Sequence, residues 1–205
     1  MSKVYLFLAD GFETVEALAP VDVMRRAGIE VVTVSVMGRR EVLSAQDVPV
    51  LADVLYSDVC FADAEALVLP GGSVGTENMS AHAELCALLK SEAAKGEILL
   101  AAICAAPMVL GRCGILEGKR ATCYPGCEGD LFGAEYTAAA VERDGKIITA
   151  CGPGASFDFG FAIVRVHDGK LTEEQRKVVI ENAAKDFYKA IQRTEAQKKR
   201  NAVCS

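Results

Sequence analysis

The chain has 205 residues, 51% of them hydrophobic, and a formal net charge of −6. That length supports one α/β core, and that apolar content excludes a disordered chain. The acidic balance gives nucleic acid no electrostatic hold. The basic cluster Lys198-Lys199-Arg200 reads as the solvated end of a polar tail, 193–205, behind a single domain spanning 1–192. No signal peptide precedes Lys3, and no apolar run approaches the roughly 20 residues of a membrane span. The expectation is a soluble, cytoplasmic protein with no membrane partner.

Strand and helix signals alternate along the chain. Val4-Tyr5-Leu6-Phe7-Leu8-Ala9 is a continuous apolar run, as in a strand buried on both faces. Asp10-Gly11 breaks it. Helical spacing from Glu13 to Ala27 predicts an apolar face through Val15, Leu18, Val21 (or Asp22) and Met24. Pro20 is expected to bend this helix or loosen its first part, and Gly28 to stop it. Glu30–Val36 is the next strand. Between Met37 and Asp63 the signal is weakest, with a small strand pair around Glu41–Leu43 and Val48–Leu51.

Ala66–Leu69 reads as a strand ending in Pro70-Gly71-Gly72. A helix follows over Ala83–Lys95, then a strand over Ile98–Ile103 and a short helix over Ala105–Cys113. Val141–Thr149 predicts a hairpin turning on Asp144-Gly145. Gly152-Pro153-Gly154 leads into a helix over Phe157–His167. Thr172, with Gln175 completing a capping box, opens the last helix. Such alternation implies a mostly parallel sheet covered by helices on both faces.

The chemistry concentrates at one cysteine. In Ala101-Ala102-Ile103-Cys104-Ala105-Ala106-Pro107 an apolar run stops at Cys104 and a helix starts directly after it. Ala102 and Ala106 supply the small side chains that a sharp strand-to-helix turn requires, the geometry of a nucleophile elbow. A thiol at a helix N-terminus is expected to favour thiolate. Glu13 and Glu16 are candidate proton-transfer partners, and spacing alone does not choose between them. The glycines of Pro70-Gly71-Gly72 allow backbone N–H groups close to a bound oxygen, so with the amide after Cys104 they form a candidate oxyanion hole.

There are eight cysteines: Cys60, Cys86, Cys104, Cys113, Cys123, Cys127, Cys151 and Cys204. In a cytosolic chain they need not form a disulfide framework. Cys123-x-x-x-Cys127 is the one close pair. With only His82 and His167 to join it, no zinc ligand set results, so no metal is expected. His82 reads as capping a surface helix and His167 as lying at the far end of the sheet, so neither is placed to activate the thiol.

Four segments in this order resemble the ThiJ/PfpI superfamily, within it the DJ-one branch and its bacterial relatives. They are Ala9 to Gly28 with its Pro20-Val21-Asp22-Val23-Met24-Arg25-Arg26-Ala27-Gly28 close, Val68-Leu69-Pro70-Gly71-Gly72, Ala101-Ala102-Ile103-Cys104-Ala105, and Gly152-Pro153-Gly154-x-Ser156-Phe157-x-Phe159. The resemblance implies a three-layer, flavodoxin-like α/β sandwich, usually a homodimer, that uses no cofactor. It implies Cys104 as nucleophile and oxidation-sensitive thiol, Glu16 as the protonated carboxyl beside it, and Gly72 and Ala105 as oxyanion-hole amides. Gly71, Tyr124 and Gly154 become candidate pocket residues. The activity implied is cofactor-free hydration of 2-oxoaldehydes such as methylglyoxal, or removal of early glycation adducts. Redox sensing and chaperone activity are the alternative.

Departures from the pattern matter too. Family proteases carry His directly after the cysteine, where this chain has Ala105, which disfavours a protease. Tyr124 stands where a histidine is usual in the branch, and Gln46 where an arginine is. Bacterial relatives are also often named for thiazole monophosphate biosynthesis. The first helix offers Phe12, Val15, Leu18 and Ala19 to either a partner subunit or the sheet.

Overall fold

In this computed structural model, residues 3–166 are described, together with 174, 177, 178, 181 and 182. The described residues Glu174, Lys177, Val178, Glu181 and Asn182 are helical, as expected of the last helix; its capping pair Thr172 and Gln175, His167, Cys204 and the boundary at 192 lie outside the described residues.

The main sheet has seven strands. In chain order these are β1 (Lys3–Leu8), β2 (Val31–Ser35), β5 (Val54–Leu55), β6 (Ala64–Leu69), β7 (Leu99–Ile103), β10 (Val141–Asp144) and β11 (Ile147–Ala150). Their spatial order is β10-β11-β7-β6-β1-β2-β5, all parallel except the edge strand β10. Between them come β3 (Glu41–Leu43) with β4 (Pro49–Leu51), an antiparallel pair, and β8 (Arg120–Ala121) with β9 (Glu135–Tyr136), a short parallel pair. Within residues 3–166 the helices are α1 (Thr14–Arg26), α2 (Ser73–Ala81), α3 (Ala83–Lys95), α4 (Pro107–Arg112) and α5 (Ser156–Val166).

Alternation along β1 divides the core. Val4, Leu6 and Leu8 pack with Ala17 and Met24 of α1 and with Phe159 and Ile163 of α5. Tyr5 and Phe7 point the other way, to Met79, Leu85, Leu89, Val109 and Leu110 of α2, α3 and α4. The side-chain period of two along a strand produces these opposite faces, and the result is the three-layer α/β sandwich.

Helix α1 is rotated from the expected phase. Val15 and Leu18 are exposed, whereas Glu16, Ala17, Pro20, Val21, Val23 and Met24 are buried. Two contacts set that rotation. Glu16 turns inward to a backbone donor, and Pro20 packs against Gly160 of α5, where an added Cβ would stand 3.1 Å from the Pro20 Cα. Helix α1 runs through Pro20 without a break. Phe12, offered above to a partner, is fully buried.

Three further differences have local causes. Helix α2 was not expected, because Ser73–Ala81 has no clear apolar stripe. It packs directly on the turn after β1, where a Cβ at Gly75 would meet the Phe12 nitrogen at 2.8 Å. The hairpin turns on Gly145-Lys146, with Asp144 paired to Ile147 as the last strand residue and Gly145 at φ +60°. The β8–β9 pair is too short to show a period. His82 is the N-cap of α3, its Nδ1 accepting from the Leu85 N–H at 3.1 Å.

Candidate active site

The chain leaves β1 for β2 and β5 on one side, then returns to β6 on the other. Such a reversal opens a crevice at the carboxyl ends of the strands, where ligands of open α/β sheets bind. A cleft of about 650 Å³ lies there, with Gly11, Gly72, Cys104, Ala105, Tyr124 and Pro153 in its wall.

Cys104 follows β7 directly and three residues precede α4. Its φ is +64°, a left-handed conformation that a non-glycine residue adopts at a cost of about 1–3 kcal/mol. Two backbone bonds hold it there. Its N–H donates to the Ala150 carbonyl and its own carbonyl accepts from the Tyr124 N–H, both at 2.8 Å. Ala102 and Ala106 are fully buried on either side, as a tight elbow requires. Cys104 is only 8% exposed and lines the cleft.

Glu16 is the buried carboxyl. It comes from the first turn of α1 and has no solvent exposure. Its Oε2 accepts from the Gly71 N–H at 3.0 Å, while Oε1 has no hydrogen-bond partner. A Cβ at Gly71 would stand 2.5 Å from both the Cys104 Cβ and Glu16 Oε2, so this glycine is the spacer that lets the two approach. Gly71 therefore holds the carboxyl rather than lining the cleft. Gly72, at φ +90°, is the N-cap of α2, and an added Cβ there would collide with the Gly11 carbonyl oxygen and stand 2.7 Å from the Glu13 nitrogen.

The acid–base properties follow from burial. Desolvation pushes the Glu16 carboxyl up to about 7; Glu13 adds to the rise, while the Cys104 and Gly71 hydrogen bonds oppose it. The Cys104 thiol rises to about 12, mainly by desolvation and then by the neighbouring Glu16. The Gly72 and Ala105 N–H groups bond the sulfur and oppose that rise. The expectation that a helix terminus alone would favour thiolate is thus corrected. Helix α4 is short, and burial beside a carboxylate outweighs it. Above about pH 7 the two groups hold one proton between them, with the carboxylate beside the thiol.

The structure separates the two candidate glutamates. Glu13 is the N-cap of α1 on the cleft rim, and its Oε2 accepts from Gln46 Nε2 at 2.9 Å. Gln46 Oε1 in turn accepts from the Thr14 hydroxyl at 2.6 Å, so this side chain ties the helix start to the β3–β4 connection. Tyr124 lines the cleft, half-exposed, its ring against Gly152. Gly154 lies outside the lining; Pro153 takes that place.

Sequence reasoning missed Arg39. It lines the cleft and pairs with Asp10 at 2.5 Å, and Asp10 also accepts from the Leu43 N–H at 3.0 Å. Its position just past the carboxyl end of β2 was the available signal, hidden in the stretch of weakest pattern. Among the described residues, no group of three or more His, Cys, Asp or Glu side chains could hold a metal ion. No described helix is long and apolar enough to cross a membrane.

Comparison with known proteins gives the family and the fold. The DJ-1/PfpI family matches residues 2–166. The chain belongs to that family. It is 37% identical over 167 residues to the Parkinson disease protein 7 homolog of Danio rerio, covering 79% of this chain and 87% of that one. It is 30% identical over 154 residues to a protein of Pyrococcus abyssi named a deglycase, covering 74% and 91%. The solved structure of oxidized Toxoplasma gondii DJ-1 superposes with a TM-score of 0.82 at 34% identity, over 90% of this chain and 98% of that one. The shared architecture is the flavodoxin-like DJ-1/PfpI fold.

Proposed function

We propose that this DJ-1/PfpI protein is a cofactor-free, cysteine-dependent enzyme acting on 2-oxoaldehydes such as methylglyoxal, or on early glycation adducts derived from them. The observation that carries the reading is the buried Glu16 carboxyl beside the Cys104 thiol, with the Gly72 and Ala105 amides on the sulfur. Above about pH 7 the Glu16 carboxylate takes the thiol proton as sulfur attacks the aldehyde carbon. The product is a hemithioacetal, and the Gly72 and Ala105 N–H groups beside the sulfur serve as the donors that meet charge developing on its oxygen. Glu16 then relays the proton as hydrogen moves between the two substrate carbons. Water hydrolyses the resulting thioester, releasing a 2-hydroxy acid and restoring the thiol. The name of the Pyrococcus relative supports the glycation branch of this reading.

The same cleft supports a second reading, in which peroxide oxidises Cys104 to sulfinate and the protein reports oxidation or acts as a chaperone. The two amides at the sulfur favour an anion there, and the oxidized Toxoplasma relative belongs to the same family. A homodimer is proposed through α1, where Val15 and Leu18 stay exposed. Incubation with methylglyoxal and a lactate assay test the first reading. Lactate is expected from the native protein and only background from Cys104→Ser. No lactate from the native protein overturns the assignment, and turnover by Cys104→Ser overturns the mechanism.

A further inference from the structure

Two helices converge on the Cys104 sulfur and are tied together again further along. Helix α2 starts at its N-cap Gly72, and α4 starts at Pro107, just after Ala105. Gly72 and Ala105 supply the N–H groups that bond the sulfur. Arg112 closes the far end of α4. Its Nη1 donates to both carboxylate oxygens of Glu77 on α2, each at 3.0 Å, and to Ser80 Oγ at 3.3 Å. Its Nη2 donates to Asp130 at 3.1 Å, in the short turn Glu128–Asp130. That turn leads back to the thiol. The Asp130 N–H donates to the Cys127 carbonyl, the Cys127 N–H to the Tyr124 carbonyl, and the Tyr124 N–H to the Cys104 carbonyl. Gly111 makes room for the turn, since an added Cβ would collide with the Asp130 carbonyl oxygen and stand 2.9 Å from the Leu131 Cα. The Arg112 guanidinium thus closes two loops through the Cys104 site, one by way of Gly72 and one by way of Tyr124.

We propose that Arg112 is a positioning residue for the Cys104 site, holding the Gly72 N–H and the Cys104 backbone in register through Glu77 and Asp130. Arg112 is absent from the cleft wall, so it acts through these partners and not on substrate. Its planar guanidinium meets carboxylates from two different segments at once, a fork that a single ammonium does not reproduce. The side chain is 31% exposed, so the ion pairs themselves contribute little to stability. Their effect is on geometry, where a displacement of about 1 Å costs about 100-fold in rate. With Glu77 released, α2 is free to carry its N-cap away from the sulfur, weakening a hydrogen bond that favours the thiolate. The signature is a change at the thiol without a matching loss of stability. The proposal rests on the catalytic reading for its turnover readout alone, since alkylation of Cys104 reports the same geometry without substrate.

The test compares the native chain with Arg112→Ala, Arg112→Lys and Glu77→Ala. Arg120→Ala is the control, because Arg120 makes a similar exposed pair with Glu142, at 3.3 Å, on the edge strand β10. Three quantities are read: the thermal midpoint, kcat and KM for methylglyoxal, and the rate of Cys104 alkylation by iodoacetamide against pH. Arg112→Ala should lower kcat about 10-fold with KM changed less than about twofold. It should move the alkylation step up by about half a pH unit while Tm falls by less than about 3 °C. Glu77→Ala should reproduce the step's movement, Arg112→Lys should recover part of it, and Arg120→Ala should match the native chain. A native alkylation profile in Arg112→Ala would overturn the proposal, as would an equal shift in Arg120→Ala. If the native chain makes no lactate, the catalytic reading fails and the alkylation profiles still decide the role of Arg112. Should Arg112→Ala fail to fold, Glu77→Ala and Arg112→Lys decide on the same profiles.

Discussion

The inner wall of the cleft and its outer rim are built by different means. The wall is backbone: Cys104 at φ +64°, Gly71 as spacer, Gly72 and Ala105 as donors, and one carboxyl with no solvent exposure. The rim is a set of half-exposed pairs, Asp10 with Arg39 and Glu13 with Gln46. Buried groups held by backbone have no alternative partner when one is lost, whereas exposed pairs exchange with water and contribute about 0–1 kcal/mol. Changes in the wall should therefore be severe and changes in the rim mild.

The sharpest contrast is expected from Cys104→Ala, which removes the attacking atom and should reduce lactate formation to background while leaving the fold intact by circular dichroism. Gly71→Ala comes next. Its Cβ would stand 2.5 Å from both the Cys104 Cβ and Glu16 Oε2, and 2.8 Å from the Ile103 carbonyl oxygen. Relief requires moving backbone, so turnover should fall about 100-fold or more, with about 1–3 kcal/mol of stability lost in urea titrations. A fully active Gly71→Ala would break the account of the wall.

Glu16→Gln should cost about 100-fold or more in kcat/KM through loss of the general base. Its stability should change in the opposite sense at high pH. The carboxyl titrates near 4.5 when unfolded and about 7 when folded, so the native chain binds a proton that the unfolded chain has released. The associated stability is present in full below the unfolded value and is lost as pH rises through about 7. Between about pH 5 and pH 8 the native protein should lose about 3 kcal/mol relative to Glu16→Gln, read from paired denaturation curves. The smallest effects belong to the rim. Arg39→Ala and Gln46→Ala should each change kcat/KM by less than about fivefold, and the Arg39 effect should shrink with added salt.

Much of the wall was legible in sequence because it depends on small residues at fixed offsets from strand ends. Ala102, Ala106, Gly71 and Gly72 announce close backbone approach, and the apolar runs of β1, β6 and β7 place them at one edge of the sheet. The rotation of α1 was not legible. Hydrophobicity selects Val15 and Leu18, whereas the bond from the Gly71 N–H and the packing of Pro20 on Gly160, both distant in sequence, turn Glu16 inward. Likewise the rim lies in a stretch with short strands and no period, so Arg39 emerged only when β2 and the Asp10 turn were seen together.

The central claim is that Glu16 and Cys104 act as one acid–base pair. The rate of Cys104 alkylation by iodoacetamide, followed against pH by mass spectrometry in the native protein and in Glu16→Gln, tests it most directly. The account predicts a rise through an apparent pKa of about 7 in the native protein, and loss of that step in Glu16→Gln. Superimposable profiles for the two proteins would contradict it.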